Sequence, residues 1–178
     1  IYDKAQMKGG LNAASASCEL AKIYIAQKRY ADAEPLLKRS IEITEKILGP
    51  DHKSLSVYLN NLAAVYSRQR KYADAEPLLK RAVEIDERSI GKDSPDIVTD
   101  LNNLATVYSY EGKYDEAEGL YKRALEMNEK ILGPQHADIA KSLSNLATVY
   151  FSQKKYAEAE PLLKRAIAIS EKSAYLNN

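Results

Sequence analysis

The chain has little cysteine, almost no net charge and no long apolar run, and each shortage excludes a class of protein. Its 178 residues include one cysteine, Cys18, which cannot form an internal disulfide. The 26 lysines and arginines nearly balance the 25 aspartates and glutamates, so no overall field attracts nucleic acid or an anionic membrane. No stretch approaches the ~18 unbroken apolar residues of a membrane span. Residues 1–20 also lack the pattern of a signal peptide, so we expect a soluble, cytoplasmic protein or a piece of one.

What the chain has in abundance is repetition, with a period of 42 residues. The string YADAEPLLKR at 30–39 recurs at 72–81, and again as YAEAEPLLKR at 156–165. A leucine and two tyrosines keep the same spacing through the whole chain: Leu20, Leu62, Leu104 and Leu146; Tyr24, Tyr66, Tyr108 and Tyr150; Tyr30, Tyr72, Tyr114 and Tyr156. A fixed period of this length predicts a stacked array, in which each unit buries its apolar face against its neighbours.

Residues 51–90 represent one repeat. From Leu55 to Tyr66 the apolar residues fall at the i, i+3, i+4 spacing of an amphipathic helix, and a polar break follows at 68–71. A second apolar stripe begins at Tyr72 and ends before Gly91, and Ser94-Pro95 then opens the next helix. No segment shows the alternation of a strand. The sequence therefore predicts an all-α fold in which each repeat is an antiparallel pair of helices, A and B.

Small and aromatic residues at fixed positions predict how the helices pack. Alanines recur in both helices, at 21, 63, 105 and 147 in helix A and at 33, 75, 117 and 159 in helix B, and only a methyl group lets two helices approach closely. We expect the eight phased tyrosines to be core residues. The prolines at 35, 77 and 161 are expected near the first turn of helix B, where a missing N–H costs little.

The pattern of helix-A leucine and tyrosine followed by helix-B alanine resembles the tetratricopeptide repeat (TPR). The 42-residue period, the NNLA string and the LGP-x-H connector are similar to the kinesin light chain type of that repeat. The resemblance implies a right-handed superhelical solenoid whose A helices line a concave groove. We expect residues 1–178 to form a single array, with repeats at about 14–55, 56–97, 98–139 and 140–178 and with residues 1–10 as the end of a preceding repeat helix.

No constellation of residues predicts catalysis, a cofactor or a metal site. The chain has no Gly-rich phosphate loop, paired-cysteine motif or HExxH motif. His52 and His136 are two periods apart in the same connector, which favours a role in a loop or at a helix start for both. Cys18 has no phased histidine partner and is interpreted as a small residue facing the core or the groove. We therefore predict that the chain is not an enzyme.

The phased Lys-Arg pairs form a basic ladder that is neutralised locally. A glutamate precedes each lysine by four residues, the favourable order on a helix: Glu34–Lys38, Glu76–Lys80, Glu118–Lys122 and Glu160–Lys164. The ladder is interpreted as a solvated outer face, and it gives no reason to expect nucleic acid.

Asparagines held at one phase of helix A are the strongest functional signal. Asparagine is a mediocre helix former, so its recurrence mid-helix calls for a reason. The resemblance places these residues in the groove, where an amide can both donate to and accept from the backbone of an extended peptide. Two alternatives remain: the asparagines are inherited from recent duplication, or they bond to a neighbouring helix. The asparagines concerned are Asn60, Asn61, Asn102, Asn103 and Asn145.

Groove positions that differ between repeats would set the specificity for a peptide. One residue that departs from the family pattern also argues against a known way of binding. The predicted positions are Lys22, Thr106 and Thr148, then Lys141, and then Ser67, Ser109 and Phe151. One TPR subclass grips a C-terminal carboxylate with basic residues beside asparagine, but Glu19 occupies that place here, which disfavours such a clamp.

Taken together, these patterns predict a non-catalytic interaction scaffold that binds a peptide segment or a partner protein in its groove. The alternative is a structural spacer or a self-associating segment, with copies stacked end to end. Neither hypothesis involves nucleic acid, membrane or a cofactor.

Overall fold

The computed structural model describes residues 3–92 and 94–176, with side chains to residue 174, and it places them in helices and short connections. None of the described residues is in a strand. In chain order the helices are α1 (Lys4–Ala26), α2 (Tyr30–Leu48), α3 (Ser54–Arg68), α4 (Tyr72–Ile90), α5 (Pro95–Tyr110), α6 (Tyr114–Leu132), α7 (Ala137–Ser152) and α8 (Tyr156–Leu176). Odd-numbered helices are the predicted A helices and even-numbered ones are the B helices. None of these helices is long and apolar enough to cross a membrane.

A three-residue turn joins helix A to helix B in every repeat, and its middle residue is left-handed. In the first repeat the N–H of Arg29 donates to the carbonyl of Tyr24, and that of Lys28 donates to Ile25, which is a Schellman motif. The left-handed position is occupied by a residue with a Cβ in three repeats and by glycine in one: Lys28, Arg70, Lys154 and Gly112, with φ of 60–77°. These turns explain the polar break between the two apolar stripes.

Glycines follow three of the B helices, and histidines lie just before two of the A helices. Gly49, Gly91 and Gly133 have φ of 84–91°, the conformation that favours glycine at a helix end. His52 Nδ1 accepts a hydrogen bond from the N–H of Ser54 at 3.2 Å, and His136 Nδ1 accepts one from Asp138 at 3.3 Å. The predicted helix-start role of both histidines is confirmed.

The helices form two compact units, residues 1–92 and residues 93–178. In the first unit α2 packs against α1 and α3, and α4 packs against α3. Its core includes Leu37 from α2 with Leu62 and Val65 from α3. In the second unit α6 packs against α5 and α7, and α8 packs against α7. The phased alanines of both units are buried as predicted, at 4% exposure or less: Ala21, Ala33, Ala63, Ala75, Ala105, Ala117, Ala147 and Ala159.

A side-chain cap marks the beginning of α1. Asp3 is the N-cap of this helix and accepts hydrogen bonds from the backbone N–H groups of Ala5 and Gln6, both at 2.8 Å. The described residues 4–10 lie in α1, which runs from Lys4 to Ala26. The assignment of residues 1–10 to the end of a preceding repeat helix stays a prediction. Residues 1 and 2 lie outside the described part.

The prolines of the B helices lie one turn further in than predicted. Tyr30 is the first residue of α2 and Pro35 is the sixth, and the same count holds for the other two prolines, Pro77 in α4 and Pro161 in α8. At the sixth position a residue with an N–H would donate to the carbonyl four residues earlier, so each proline removes one helical hydrogen bond.

One of the eight phased tyrosines is exposed, contrary to the prediction that all of them are core, and so is the first of the phased leucines. Tyr156 is 56% exposed and Leu20 is 39% exposed, whereas Leu62, Leu104 and Leu146 are at most 5% exposed. The outer faces of α8 and α1 have no described helix packed against them, so a position that is covered elsewhere stays open there.

Candidate functional site

A cavity of about 310 Å³ opens between α5 and α7, with α6 contributing to its lining. Residues from these helices lie around it because i, i+3, i+4 and i+7 positions share one face of a helix. Most of the lining residues have polar side chains, although the exposed surface of the cavity includes apolar atoms; the residues are Pro95, Val98, Thr99, Asn102, Asn103, Asn128, Asp138, Lys141, Ser142 and Asn145. The structure therefore brings four of the predicted groove residues together, namely Asn102, Asn103, Lys141 and Asn145.

Hydrogen bonds to the protein hold two of the side-chain amides that line the cavity. Asn102 Nδ2 donates to the carbonyl of Val98, one turn earlier in α5, at 2.7 Å. Its Oδ1 is buried and accepts no hydrogen bond from any described residue. Asn128 Nδ2 donates across to Ser142 Oγ of α7 at 3.1 Å, which ties α6 to α7. The orientations of these two amides are thus fixed by the fold before any ligand is present.

The cavity carries one cation and one anion. Lys141 is exposed, and no described carboxylate forms an ion pair with it. Asp138 lies in the first turn of α7, where its carboxylate approaches His136 Nδ1 at 3.5 Å. The remaining polar groups are neutral amides and hydroxyls, which can form hydrogen bonds with a peptide backbone of any sequence.

The other predicted residues of the second unit lie outside this lining. Thr106 Oγ1 donates to the carbonyl of Asn102 and lies 2.8 Å from Tyr121 Oη, so its hydroxyl is already engaged. Thr148 is exposed and donates to its own helix. Ser109 is half-buried in the last turn of α5. Phe151 is 62% exposed and meets Tyr156 edge to face, with ring centroids 5.5 Å apart.

In the first unit, the predicted residues Lys22 and Asn61 both lie beside Cys18. Asn61 Nδ2 donates to the carbonyl of Val57 at 2.9 Å and lies 3.6 Å from Cys18 Sγ. Lys22 pairs with Glu19 at 2.7 Å, and this hydrogen bond raises the lysine pKa. The remaining two predicted residues, Asn60 and Ser67, are half-buried. The side-chain amide of Asn60 donates to the backbone carbonyl of Ser56 at 2.9 Å.

Hydrogen bonds from the side-chain amides to the backbone of helix A give the asparagines a structural role. In Asn60, Asn61 and Asn102 one N–H donates to the carbonyl four residues earlier. A hydrogen bond within the same helix differs from the bond to a neighbouring helix that the sequence left open as an alternative. Only Asn61 also makes a contact of that second kind, with Cys18 of α1. One N–H of each of these amides is therefore committed to its own helix.

Sequence reasoning missed Asn128, which lines the cavity from helix B. A signal was present, because a polar residue interrupts the apolar stripe of helix B at the same phase in every repeat, at Thr44, Asp86, Asn128 and Ser170. In each unit one such residue meets the following A helix: Thr44 lies beside Tyr58 of α3, and Asn128 hydrogen-bonds Ser142 of α7.

The single cysteine of the chain is a buried packing residue. Cys18 is 2% exposed within the core of the first unit. Burial raises the pKa of its thiol, and nearby Lys22 opposes this less strongly. A neutral, buried thiol is a packing group, as the sequence suggested. In the described residues no group of three or more histidine, cysteine, aspartate or glutamate side chains could hold a metal ion.

The predicted ion pairs of the basic ladder are present, and tyrosines reinforce those of Glu34 and Glu118. Each phased glutamate contacts its lysine at 2.5–2.7 Å. Tyr66 donates to Glu34, and Tyr150 donates to Glu118, both at 3.1 Å. The hydrogen bond from Lys122 lowers the pKa of Glu118, with further contributions from Tyr150 and Lys155. Conversely, Glu118 raises the pKa of Lys122 to about 12.

The lowered pKa of Glu118 predicts how its contribution to stability depends on pH. The folded-state pKa is below the ordinary value of 4.5, so the stabilisation is present above that value and is lost as pH falls through the folded pKa. We expect Glu118→Gln to lower the free energy of unfolding by about 0.5–1 kcal/mol at neutral pH and to match the original chain in acid. Urea denaturation at several pH values measures this difference.

Glu160→Gln is the matched control for that measurement. Glu160 has the same repeat position as Glu118 and pairs with the equivalent lysine, Lys164. However, its side chain is 65% exposed and no described tyrosine donates to it. Its substitution is expected to change the urea midpoint little at any pH. An equal, pH-dependent loss in both variants would contradict the role assigned to Tyr150 and Lys155.

These features define a class: a helical-repeat protein built from antiparallel helix pairs, with a polar cavity between successive A helices. The family model for the tetratricopeptide repeat matches residues 12–88, 54–130 and 96–172, and so covers most of the chain. The chain belongs to the tetratricopeptide repeat family. Repeats of this family are typically non-catalytic interaction scaffolds. No curated protein sequence is significantly similar to the chain.

Solved structures confirm the fold class and the similarity to kinesin light chain repeats. BtubC (BKLC) from P. vanneervenii is 24% identical with a TM-score of 0.83, and the match covers 93% of this chain but 65% of that one. A putative kinesin light chain from Podosopora anserina, with nearly identical TPR-like repeats, is 27% identical with a TM-score of 0.77, covering 90% and 76%. YrrB, a TPR protein with an unusual peptide-binding site, is 21% identical with a TM-score of 0.65, covering 89% and 70%.

Proposed function

We propose that the chain is a non-catalytic scaffold that binds an extended peptide segment of a partner protein, centred on the cavity of the second unit. The observation that carries this proposal is the convergence of Asn102, Asn103, Lys141 and Asn145 around one cavity. The sequence singled out these residues by their repeat positions together with the resemblance to the tetratricopeptide repeat. The fold is compatible with this role, since YrrB has a related fold and is described as having a peptide-binding site.

The chemistry of the cavity favours the peptide backbone over a particular side chain as the main contact. An extended strand of peptide presents alternating N–H and carbonyl groups, and an amide side chain can satisfy either. The single cation, Lys141, adds a preference for an acidic residue beside the gripped segment. The nearly balanced total charge supports a protein partner over nucleic acid, and the lone buried cysteine is compatible with a reducing, cytoplasmic location.

Binding to an unbiased peptide set tests this function. An array of random peptides, each of about a dozen residues, would select a probe that is long enough to reach side chains from more than one repeat. Fluorescence anisotropy would then give the Kd of this probe. Each lost hydrogen bond contributes about 0.5–1.5 kcal/mol, so the double variant Asn103→Ala/Asn145→Ala is expected to bind the probe at least about fivefold more weakly.

Asn12→Ala is the matched control, because Asn12 is an exposed asparagine of α1 outside the cavity. It should bind the probe like the original chain, while circular dichroism checks that all variants keep their helix content. If the double variant and the control bind every selected peptide equally well, the cavity is not the binding site.

A further inference from the structure

The turn from helix A to helix B carries a cation at its left-handed residue in three repeats. These residues are Lys28, Arg70 and Lys154, with φ of 60–61°, whereas the third repeat has Gly112 there. Glycine adopts this conformation without a steric cost, but a residue with a Cβ is strained in it. The local geometry therefore favours glycine, and three cations occupy the position against that preference.

The next residue of each turn is also a cation, and the fold accounts for it. Arg29, Lys71, Lys113 and Lys155 each lie over the ring of the phased tyrosine near the end of the preceding A helix, 4.2–5.8 Å from the ring centroid. At this distance a cation is attracted to the face of an aromatic ring. A positive charge at this second position thus has a structural role.

No such contact accounts for the left-handed cations. Lys28, Arg70 and Lys154 are exposed, and their side chains form no hydrogen bond, ion pair or ring contact with the residues that the structure describes. The same is true of Arg68, in the last turn of α3. A strained position whose side chain no described residue uses indicates a function outside the fold.

Three of these cations lie at one edge of the first unit. Lys28 follows the end of α1, and Arg68 and Arg70 lie at and just after the end of α3. Both helices pack against α2 and contact each other. The axes of packed helices are on the order of 10 Å apart, so the two turns are separated by about that distance. We name Lys28, Arg68 and Arg70 the turn edge.

Acidic residues beside the turn edge limit which anion fits it. Asp32 lies in the first turn of α2 and is paired with Arg29 at 2.8 Å, while Asp74 has the same position in α4 and is exposed. A nucleic acid has a charge on every phosphate and would bring like charges toward Asp74. A peptide can place separate carboxylates at the cations and neutral residues between them. Charge complementarity therefore favours a protein segment.

We propose that the turn edge binds an extended, acidic segment of a partner protein, with carboxylates paired to Lys28, Arg68 and Arg70. An extended chain rises by about 3.3 Å per residue, so carboxylates about three residues apart match two turns roughly 10 Å apart. Arginine can hold a carboxylate with two parallel N–H donors. The turn edge shares no residue with the cavity of the second unit, so this proposal and the proposed function can fail independently.

Fluorescence anisotropy with a designed probe tests the turn edge. The probe is a labelled peptide of about a dozen residues that repeats Glu-Ser-Gly, and its control has glutamine in place of every glutamate. At about 50 mM salt the acidic probe is expected to bind at least about tenfold more tightly than the control, and its binding weakens as salt is added. Equal binding of the two peptides would overturn the proposal.

The double variant Lys28→Gly/Arg70→Gly separates binding from stability. Gly112 shows that the same turn forms with glycine, so this variant is expected to keep the urea midpoint of the original chain. Its affinity for the acidic probe should fall at least about fivefold, because two of the three cations are lost. Unchanged affinity would show that the turn edge is not the binding surface.

Lys8→Ala/Lys53→Ala is the matched control, since it removes the same charge from the opposite ends of α1 and α3. Both lysines are exposed. This variant should bind the acidic probe within about twofold of the original chain. An equal loss in both double variants would mean that total charge attracts the probe, and the turn edge would be rejected as a site.

A labelled oligothymidylate of the same length tests the other class of polyanion. It is expected to bind more weakly than the acidic peptide. Tighter binding of the oligonucleotide, with the same dependence on Lys28 and Arg70, would assign the turn edge to nucleic acid and overturn the proposed protein partner.

Discussion

Replacing Leu37 by alanine is expected to lower the free energy of unfolding of the chain by about 2–5 kcal/mol. Leu37 is fully buried and belongs to the cluster that joins α2 to α1 and α3. Its loss removes apolar contacts and leaves a cavity that the surrounding helices can fill only in part. Chemical denaturation followed by far-UV circular dichroism measures the change.

Leu163→Ala is the control, because Leu163 has the same repeat position in α8 but is 43% exposed. We expect it to cost less than about 1 kcal/mol at a concentration where the chain does not self-associate. Equal losses at the two positions would mean that the contacts described between α2 and α3 do not stabilise the fold.

Enlarging Ala63 to leucine is expected to destabilise the first unit by about 1–3 kcal/mol, through overpacking. Ala63 is 0% exposed on the buried face of α3, and it belongs to the phased alanines that allow close helix approach. Three additional carbon atoms there must displace a neighbouring helix or adopt a strained rotamer. A fall in the denaturation midpoint would report this cost.

The adjacent residue supplies the comparison, since Ala64 lies on the exposed side of the same helix. Alanine and leucine have similar helix propensities, so Ala64→Leu is expected to change stability by less than about 0.5 kcal/mol. A chain that tolerates leucine at both positions would show that close packing does not explain the recurring alanines.

The helices could be predicted from the sequence because their signals are local. Gly91 and Ser94-Pro95 mark a helix end and a helix start without reference to the rest of the chain, and both lie where the sequence places them. The apolar stripe of each helix likewise requires only a spacing of three or four residues. These features are repeated four times, so each repeat supports the reading of the others.

Burial could not be predicted from phase alone, because it depends on which helix lies next to a position. Leu62 and Leu20 have the same phase, yet one is 3% exposed and the other 39%. Tyr156 was expected in the core for the same reason and is 56% exposed. The repeat period identifies a residue's place within its repeat, and the neighbouring repeat then decides whether that place is covered.

The candidate site was predictable in part. The asparagines were found because they recur at one phase of helix A, and Asn102, Asn103 and Asn145 do line one cavity. Their hydrogen bonds to the preceding turn were not foreseen, since an amide in a helix can turn toward its own backbone or away from it. Asn128 could not be predicted in the same way, because asparagine does not recur at its position in helix B.

The most direct test of the account is NMR mapping of the asparagine side-chain amides while a selected peptide is added. If the cavity of the second unit grips the peptide backbone, the amide signals of Asn103 and Asn145 shift on binding and saturate with the same Kd as the anisotropy titration. The signal of Asn12, on α1, stays in place. Saturable peptide binding that leaves the Asn103 and Asn145 signals unmoved would contradict the account.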